Sequence, residues 1–164
     1  MELLPVVSTV GKLVLGKLPP FLLKRYYTQE RMARLVYIDL LPQNQSAWLN
    51  LGPAAEFRVA MQVINLLPFP VELDRALIRL SCGTSPLESL NVERRWFQSG
   101  EIGAVTFAGN IPDGHAQQIA QNQGSAAGGL DGLFEFNSRV QQFKRVIPHL
   151  SGVAYSLANA HLRK

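Results

Sequence analysis

The chain carries little of what chemistry usually needs. Cys82 is its single cysteine, so no intramolecular disulfide can form, and one thiol does not fix a compartment. The histidines, His115, His149 and His161, lie far apart and share no ligand spacing with Cys82. A zinc site needs about four converging ligands, so these are expected to be surface or loop residues and no metal or cofactor is expected. Gly-x-Ser-x-Gly, the strained turn that presents a serine nucleophile, is missing. Asp113-Gly-His115 therefore reads as a helix start plus a loop histidine rather than part of a triad. The glycines from Gly124 to Gly129 have no following lysine and Ser/Thr with which to hold phosphate and Mg²⁺.

Charge is also scarce, at 17% of residues, and long apolar runs are interrupted. From Leu3 to Leu23 the stretch contains Lys12, Lys17 and three prolines. A spanning helix wants about 20 mostly apolar residues, and a secretory leader wants its basic residues first. Neither fits well, and no convincing signal peptide is present. An apolar share of 47% over 164 residues excludes wholesale disorder and suffices for one core.

What is present is a lopsided charge map. Ahead of residue 35 stand six basic residues, Lys12, Lys17, Lys24, Arg25, Arg31 and Arg34, against Glu2 and Glu30. The remaining ten Lys/Arg and ten Asp/Glu cancel, so the formal charge of +4 resides in this segment. Apolar residues at 3, 6, 7, 10, 13 and 14 fall at spacings of three and four, predicting an amphipathic helix over about residues 4–18 that Pro19-Pro20 ends. Phe21 to Arg34 predicts a further short helix, with Thr28 capping Gln29 to Arg34. Residues 1–33 thus read as a basic amphipathic arm and 34–164 as a separate domain. Lys12, Lys17, Lys24 and Arg25 would meet anionic headgroups while Val10, Leu13, Val14 and Phe21 bury. A neighbouring protein subunit is the alternative partner; nucleic acid is not expected, because the body has no Arg/Lys cluster interleaved with aromatics.

The body alternates with a period of two, the mark of strands with one wet face. Strands are predicted over 34–41, 47–51, 56–63, 71–80, 90–97, 102–108, 133–146 and 152–157. Asp113 is expected to cap a short helix through Gln121, and 122–129 to form a flexible loop. Pro68 and Pro70 mark a crossing or edge segment. Such spacing argues for a mainly β fold, an antiparallel β-sandwich. In Arg94-Arg95-Trp96-Phe97, Arg94 and Trp96 share a face that could grip a partner or headgroup. Asn44-Gln-Ser46 matches a glycosylation acceptor, which matters only for a secreted eukaryotic chain.

Phe57-Arg-Val-Ala-Met-Gln-Val-Ile-Asn65, then Pro68-Phe-Pro-Val71, then an alternating strand ending at Gly83, resembles the late embryogenesis abundant domain of the water-stress (WHy) type. Gly132-Leu-Phe-Glu-Phe136 is similar to that family's closing strands. Asn-Leu-Leu-Pro stands here where the family repeats Asn-Pro. The resemblance implies an immunoglobulin-like sandwich, no enzymatic activity, and a stress-protection or binding role, often next to a membrane. The expectation is therefore a non-enzymatic domain held peripherally on the cytoplasmic face of a membrane. One alternative is a structural subunit of a homo-oligomer or larger particle, such as a capsid, with the arm laid on a neighbour. Another is a sandwich that binds lipid or another apolar ligand.

Overall fold

A computed structural model describes residues 19–42, 47–122 and 127–163 of the chain. The helix expected over residues 4–18 and the Asn44 acceptor lie outside them. Two short helices lead, α1 (Pro20–Tyr26) and α2 (Gln29–Arg34). As expected, the Thr28 side chain caps α2, its hydroxyl accepting from the Arg31 N–H at 3.3 Å. Among the described residues nine strands follow: β1 (Val36–Leu40), β2 (Ala47–Asn50), β3 (Glu56–Asn65), β4 (Val71–Cys82), β5 (Ser85–Asn91), β6 (Arg95–Phe97), β7 (Ile102–Asn110), β8 (Ala127–Ser138) and β9 (Phe143–Ala158). Helix α3 (Asp113–Gln121) separates β7 from β8, and a 3₁₀ turn, Ala160–Arg163, closes the described chain.

The protein is mainly β, built as one mixed sheet in the order β1-β3-β2-β9-β8-β4-β5, with β7 also on β3 and β6 also on β4. β3 has β7 along one edge, while β1 and β2 share the other, β1 opposite 61–65 and β2 opposite 56–59. β4 likewise has β8 along one edge and β5 and β6 in succession along the other. β9 joins these two groups: its first part pairs antiparallel with β8, and Tyr155–Ala158 pairs parallel with β2. The wholly antiparallel pairing expected from the sequence is thus corrected. β9 is long enough to leave β8 and continue beside a strand running its own way, past a register shift and Gly152 at φ 77°.

Three strand boundaries also differ. The segment 90–97 is two strands rather than one, because Asn91 turns the chain by accepting the Glu93 N–H at 2.8 Å. The segment 133–146 is likewise two strands joined by a turn at 139–142, where the Ser138 hydroxyl accepts from the Val140 and Gln141 N–H groups. Gly128 and Gly129, expected in a loop, belong to β8; the Gly129 position is filled by the His149 ring, which would stand 2.3 Å from an added Cβ. Asp113 begins α3 without capping it, Pro112 holding the cap position.

The core is aromatic and aliphatic, with Phe57, Phe97, Phe107, Phe134 and Phe136 almost wholly buried. Phe107 of β7 meets Phe134 of β8 edge-on at 5.8 Å although their strands are not neighbours in the sheet. Amid this apolar material sits a fully buried amide. Asn65 Nδ2 donates to the carbonyls of Phe69 (2.9 Å), Phe97 (3.0 Å) and Gln98 (3.1 Å), while Oδ1 accepts the Leu67 N–H at 3.0 Å. Its backbone joins in, N–H to the Glu101 carbonyl and C=O from the Gly100 N–H at 2.7 Å. Gly100 is at φ 78°, a conformation that a residue with a Cβ resists.

Asn65→Ala takes the side-chain partner from the Phe69 and Phe97 carbonyls and the Leu67 N–H in a dry site, so it is expected to cost roughly 2–4 kcal/mol in urea unfolding. Asn65→Asp, placing a carboxylate against the same carbonyls, is expected to cost more than the alanine variant at neutral pH. A loss below about 1 kcal/mol for both would refute this account of the corner.

Candidate contact surface

Helix α1 is short, and its sequence assigns each side a task. Pro20 suits a first turn, where its missing N–H costs nothing. Leu23 and Tyr27 stand one turn apart and both bury. The Tyr27 ring meets Phe69 edge-on at 5.1 Å, and the Tyr27 carbonyl accepts from Gln141 Nε2 at 2.7 Å. Two anchors thus pin α1 to the Pro68–Pro70 corner and to the β8–β9 turn. The other side faces outward: Phe21 is 70% exposed, Leu22 43% and Tyr26 55%, with Lys24 and Arg25 exposed among them. Arg31 stacks on the Tyr26 ring at 3.9 Å and donates to its hydroxyl at 2.8 Å, and the Arg139 guanidinium lies over Phe69 at 5.4 Å.

The described part of the expected arm is therefore docked on one side and bare on the other. Phe21, Lys24 and Arg25 share the bare side. Val10, Lys12, Leu13, Val14 and Lys17 lie outside the described residues. Trp96 is in β6, and Arg94 stands just ahead of that strand. Trp96 is 52% exposed opposite Glu72, and Arg94 pairs with Asp74 at 3.0 Å. Phe97 buries beneath them, and Arg95 lies over its ring while donating to the Ala104 carbonyl at 2.6 Å.

Beside α2 lies a cavity of about 470 Å³, bordered by Gln29, Glu30, Asp74, Arg75, Glu135 and Lys144. Its floor is an ion cluster in which Glu135 receives Arg75 Nε and Lys144 Nζ, each at 2.7 Å. These hydrogen bonds, Lys144 first and Arg75 next, hold the Glu135 carboxyl below its ordinary value. Both of its oxygens are already engaged by a local cation, which suits fastening β4, β8 and β9 together better than acid–base work.

Elsewhere the chemistry-bearing residues are occupied in other ways. Burial pushes the Cys82 thiol up to about 12, far from the thiolate a nucleophile requires. Asp113, two positions from His115, receives Arg163 Nη1 at 2.7 Å. Arg163 also donates to the Leu51 and Gly52 carbonyls, so the basic end of the chain acts in part as a clamp between strand end and helix. Among the described residues no three of His, Cys, Asp and Glu gather as metal ligands would. No helix among them is long and apolar enough to cross a membrane.

No protein-family model matches the chain, and no curated protein matches it. Solved structures give fold-level likenesses only. A protein from Archaeoglobus fulgidus is 7% identical, with a TM-score of 0.45 over 74% of this chain and 96% of that one. A candidate late embryogenesis abundant protein is 7% identical, with a TM-score of 0.37 over 90% and 88%. A late embryogenesis abundant protein is thus among the structural neighbours.

Two outcomes are expected here. A folded-state value below the unfolded one means Glu135 adds stability above the ordinary carboxylate range and loses it as pH falls through the lowered value. Glu135→Gln should therefore flatten the acid side of a plot of urea midpoint against pH; an unchanged slope contradicts the pairing. Cys82 should resist a thiol-reactive dye at about pH 8 in the native protein and react promptly in denaturing urea.

Proposed function

We propose that the protein is a non-enzymatic, immunoglobulin-like β-sandwich fixed to an anionic membrane surface through residues 1–33. The observation that carries the reading is the bare side of α1, where Phe21, Leu22 and Tyr26 stand exposed between Lys24 and Arg25 on a helix held rigid from behind. Aromatic side chains with adjacent cations suit the headgroup level of a bilayer, where rings insert and cations meet lipid phosphates. Each such cation contributes about 1 kcal/mol near an anionic leaflet. The amphipathic sequence ahead of Pro19, with Lys12 and Lys17, extends the same chemistry.

The sandwich reading is supported by the edge contact between Phe107 and Phe134 and by hydrogen bonds that tie β5 to β7. Ser89 Oγ donates to the Ala108 carbonyl at 2.7 Å, and Asn91 Nδ2 to the Thr106 carbonyl at 3.3 Å. A stress-protection or binding role, of the kind the water-stress domains imply, fits a body in which Glu135, Arg75, Asp113 and Arg163 are paired within the fold and the Cys82 thiol is buried.

The full chain is expected to float with vesicles of mixed neutral and anionic phospholipid and to be released as salt is raised. Lys24→Glu/Arg25→Glu should weaken vesicle binding roughly tenfold or more, and Phe21→Ser should weaken it on neutral and anionic vesicles alike. Point variants serve better than removal of residues 1–33, because Leu23, Tyr27 and Met32 belong to the core. Salt-independent binding, or binding unchanged in both variants, refutes the attachment.

A further inference from the structure

One face of the sheet carries an ordered pattern that membrane attachment leaves unused. Leu90, Leu77, Leu133 and Val146 stand opposite one another in successive registers across β5, β4, β8 and β9. Three of them are exposed, Leu90 at 59%, Leu77 at 41% and Val146 at 62%. The alternate residues of these strands, among them Ile78, Phe134 and Ile147, are buried on the opposite face. A shallow groove of about 440 Å³ runs along the row, lined by Leu77, Leu133, Val146 and Pro148 with polar borders. The next row, away from the Pro68–Pro70 corner, is Glu88, Arg79, Asp131 and His149. Arg79 pairs with Glu88 at 2.6 Å and His149 with Asp131 at 3.2 Å. Beyond it come the small residues Pro86, Ser81 and Gly129.

Across the four strands the polar row runs acid, base, acid, imidazole. Reversed and laid over itself, this order is its own complement. A twofold axis parallel to the strands and passing between β4 and β8 sets Arg79 against the other copy's Asp131 and Glu88 against its His149. The same axis sets Leu77 against Leu133 and Leu90 against Val146. We infer that this face packs on the same face of a second copy of the chain, as an isologous dimer of aligned sheets. Four strands spaced about 4.8 Å apart and three rows about 6.8 Å apart give about 400 Å² of sheet per copy. That is about half the share of a standard interface, so the dimer is weak and depends on concentration.

The test is sedimentation velocity of the full chain across a wide concentration range, with thermal melts verifying that each variant folds. Wild-type protein is expected to pass from monomer to dimer, and Leu77→Lys to remain monomeric. Arg79→Glu and Asp131→Arg each place like charges across the axis twice, and each should weaken self-association roughly tenfold or more. Mixed together, the two variants should form a heterodimer. The carboxylate introduced at position 79 of one copy then meets the guanidinium introduced at position 131 of the other, while the native Asp131 meets the native Arg79. Monomer at every concentration, which would leave the row to the chain's own leading residues or to a different protein, overturns the proposal. So does self-association that neither charge reversal weakens, or a mixture that stays monomeric. Vesicle flotation of the same variants, each expected still to bind anionic vesicles and to be released by salt, keeps this outcome separate from that of the attachment proposal.

Discussion

A buried amide organises the end of the molecule that carries α1 and its exposed side. Asn65 ends β3, and its side chain fastens the Leu66–Phe69 turn to the chain leaving β6. A dry site raises the value of the bonds to Phe69, Phe97 and Leu67, because these groups have no water to turn to. The turn so fixed presents Phe69, Phe69 receives Tyr27, and Tyr27 carries α1. The direction in which Phe21, Lys24 and Arg25 point thus follows from where one asparagine holds three carbonyl groups.

This chain of support explains why a seven-residue helix is present at all. A helix so short is unstable alone, and α1 has neither a side-chain cap nor an acidic first turn. Its order comes from two buried side chains a turn apart and from the bond between Gln141 and the Tyr27 carbonyl. Burying two large apolar side chains is worth about 3–6 kcal/mol before entropy is subtracted. That suffices to seat one side of the helix and does nothing for the other. The exposed rings are then a cost unless something covers them.

Much of the β architecture was legible because alternation is a direct record of facing core or water. Strand β3, the proline corner, β4 and the Thr28 cap each announced themselves through residue type and spacing. Two of the failures share a cause: a turn made by side chains looks like strand. Asn91 breaks 90–97 through its own carboxamide oxygen, and Ser138 closes the β8–β9 turn with a hydroxyl, in stretches without a central glycine to mark them. The row formed by Leu90, Leu77, Leu133 and Val146 stayed hidden for a different reason, since its members are neighbours only in register. The bare side of α1 was legible in composition, since Phe21, Lys24 and Arg25 stood out, but their division from Leu23 and Tyr27 needed the Phe69 contact. Arg163 was the least legible, because its acceptors at Leu51, Gly52 and Asp113 lie 50 or more positions away.

The two proposed surfaces are related by the direction of the strands. Helix α1 rests on the end of the sheet where β4 begins and where β8 turns into β9. The polar row of the stripe lies toward the opposite end. A twofold axis running along the strands does not exchange the ends of the sheet, so both copies carry α1 at the same end of the dimer. The two proposed attachment helices would then stand at one end of the pair. With the first bound, the second would meet lipid at a local concentration set by the dimer rather than by solution, and the combined hold would exceed either alone. A dimer too weak to persist in dilute solution would in turn be favoured on a membrane, because confinement to the surface raises the concentration of each copy for the other. Dimerisation and attachment would then reinforce each other without either site touching the other.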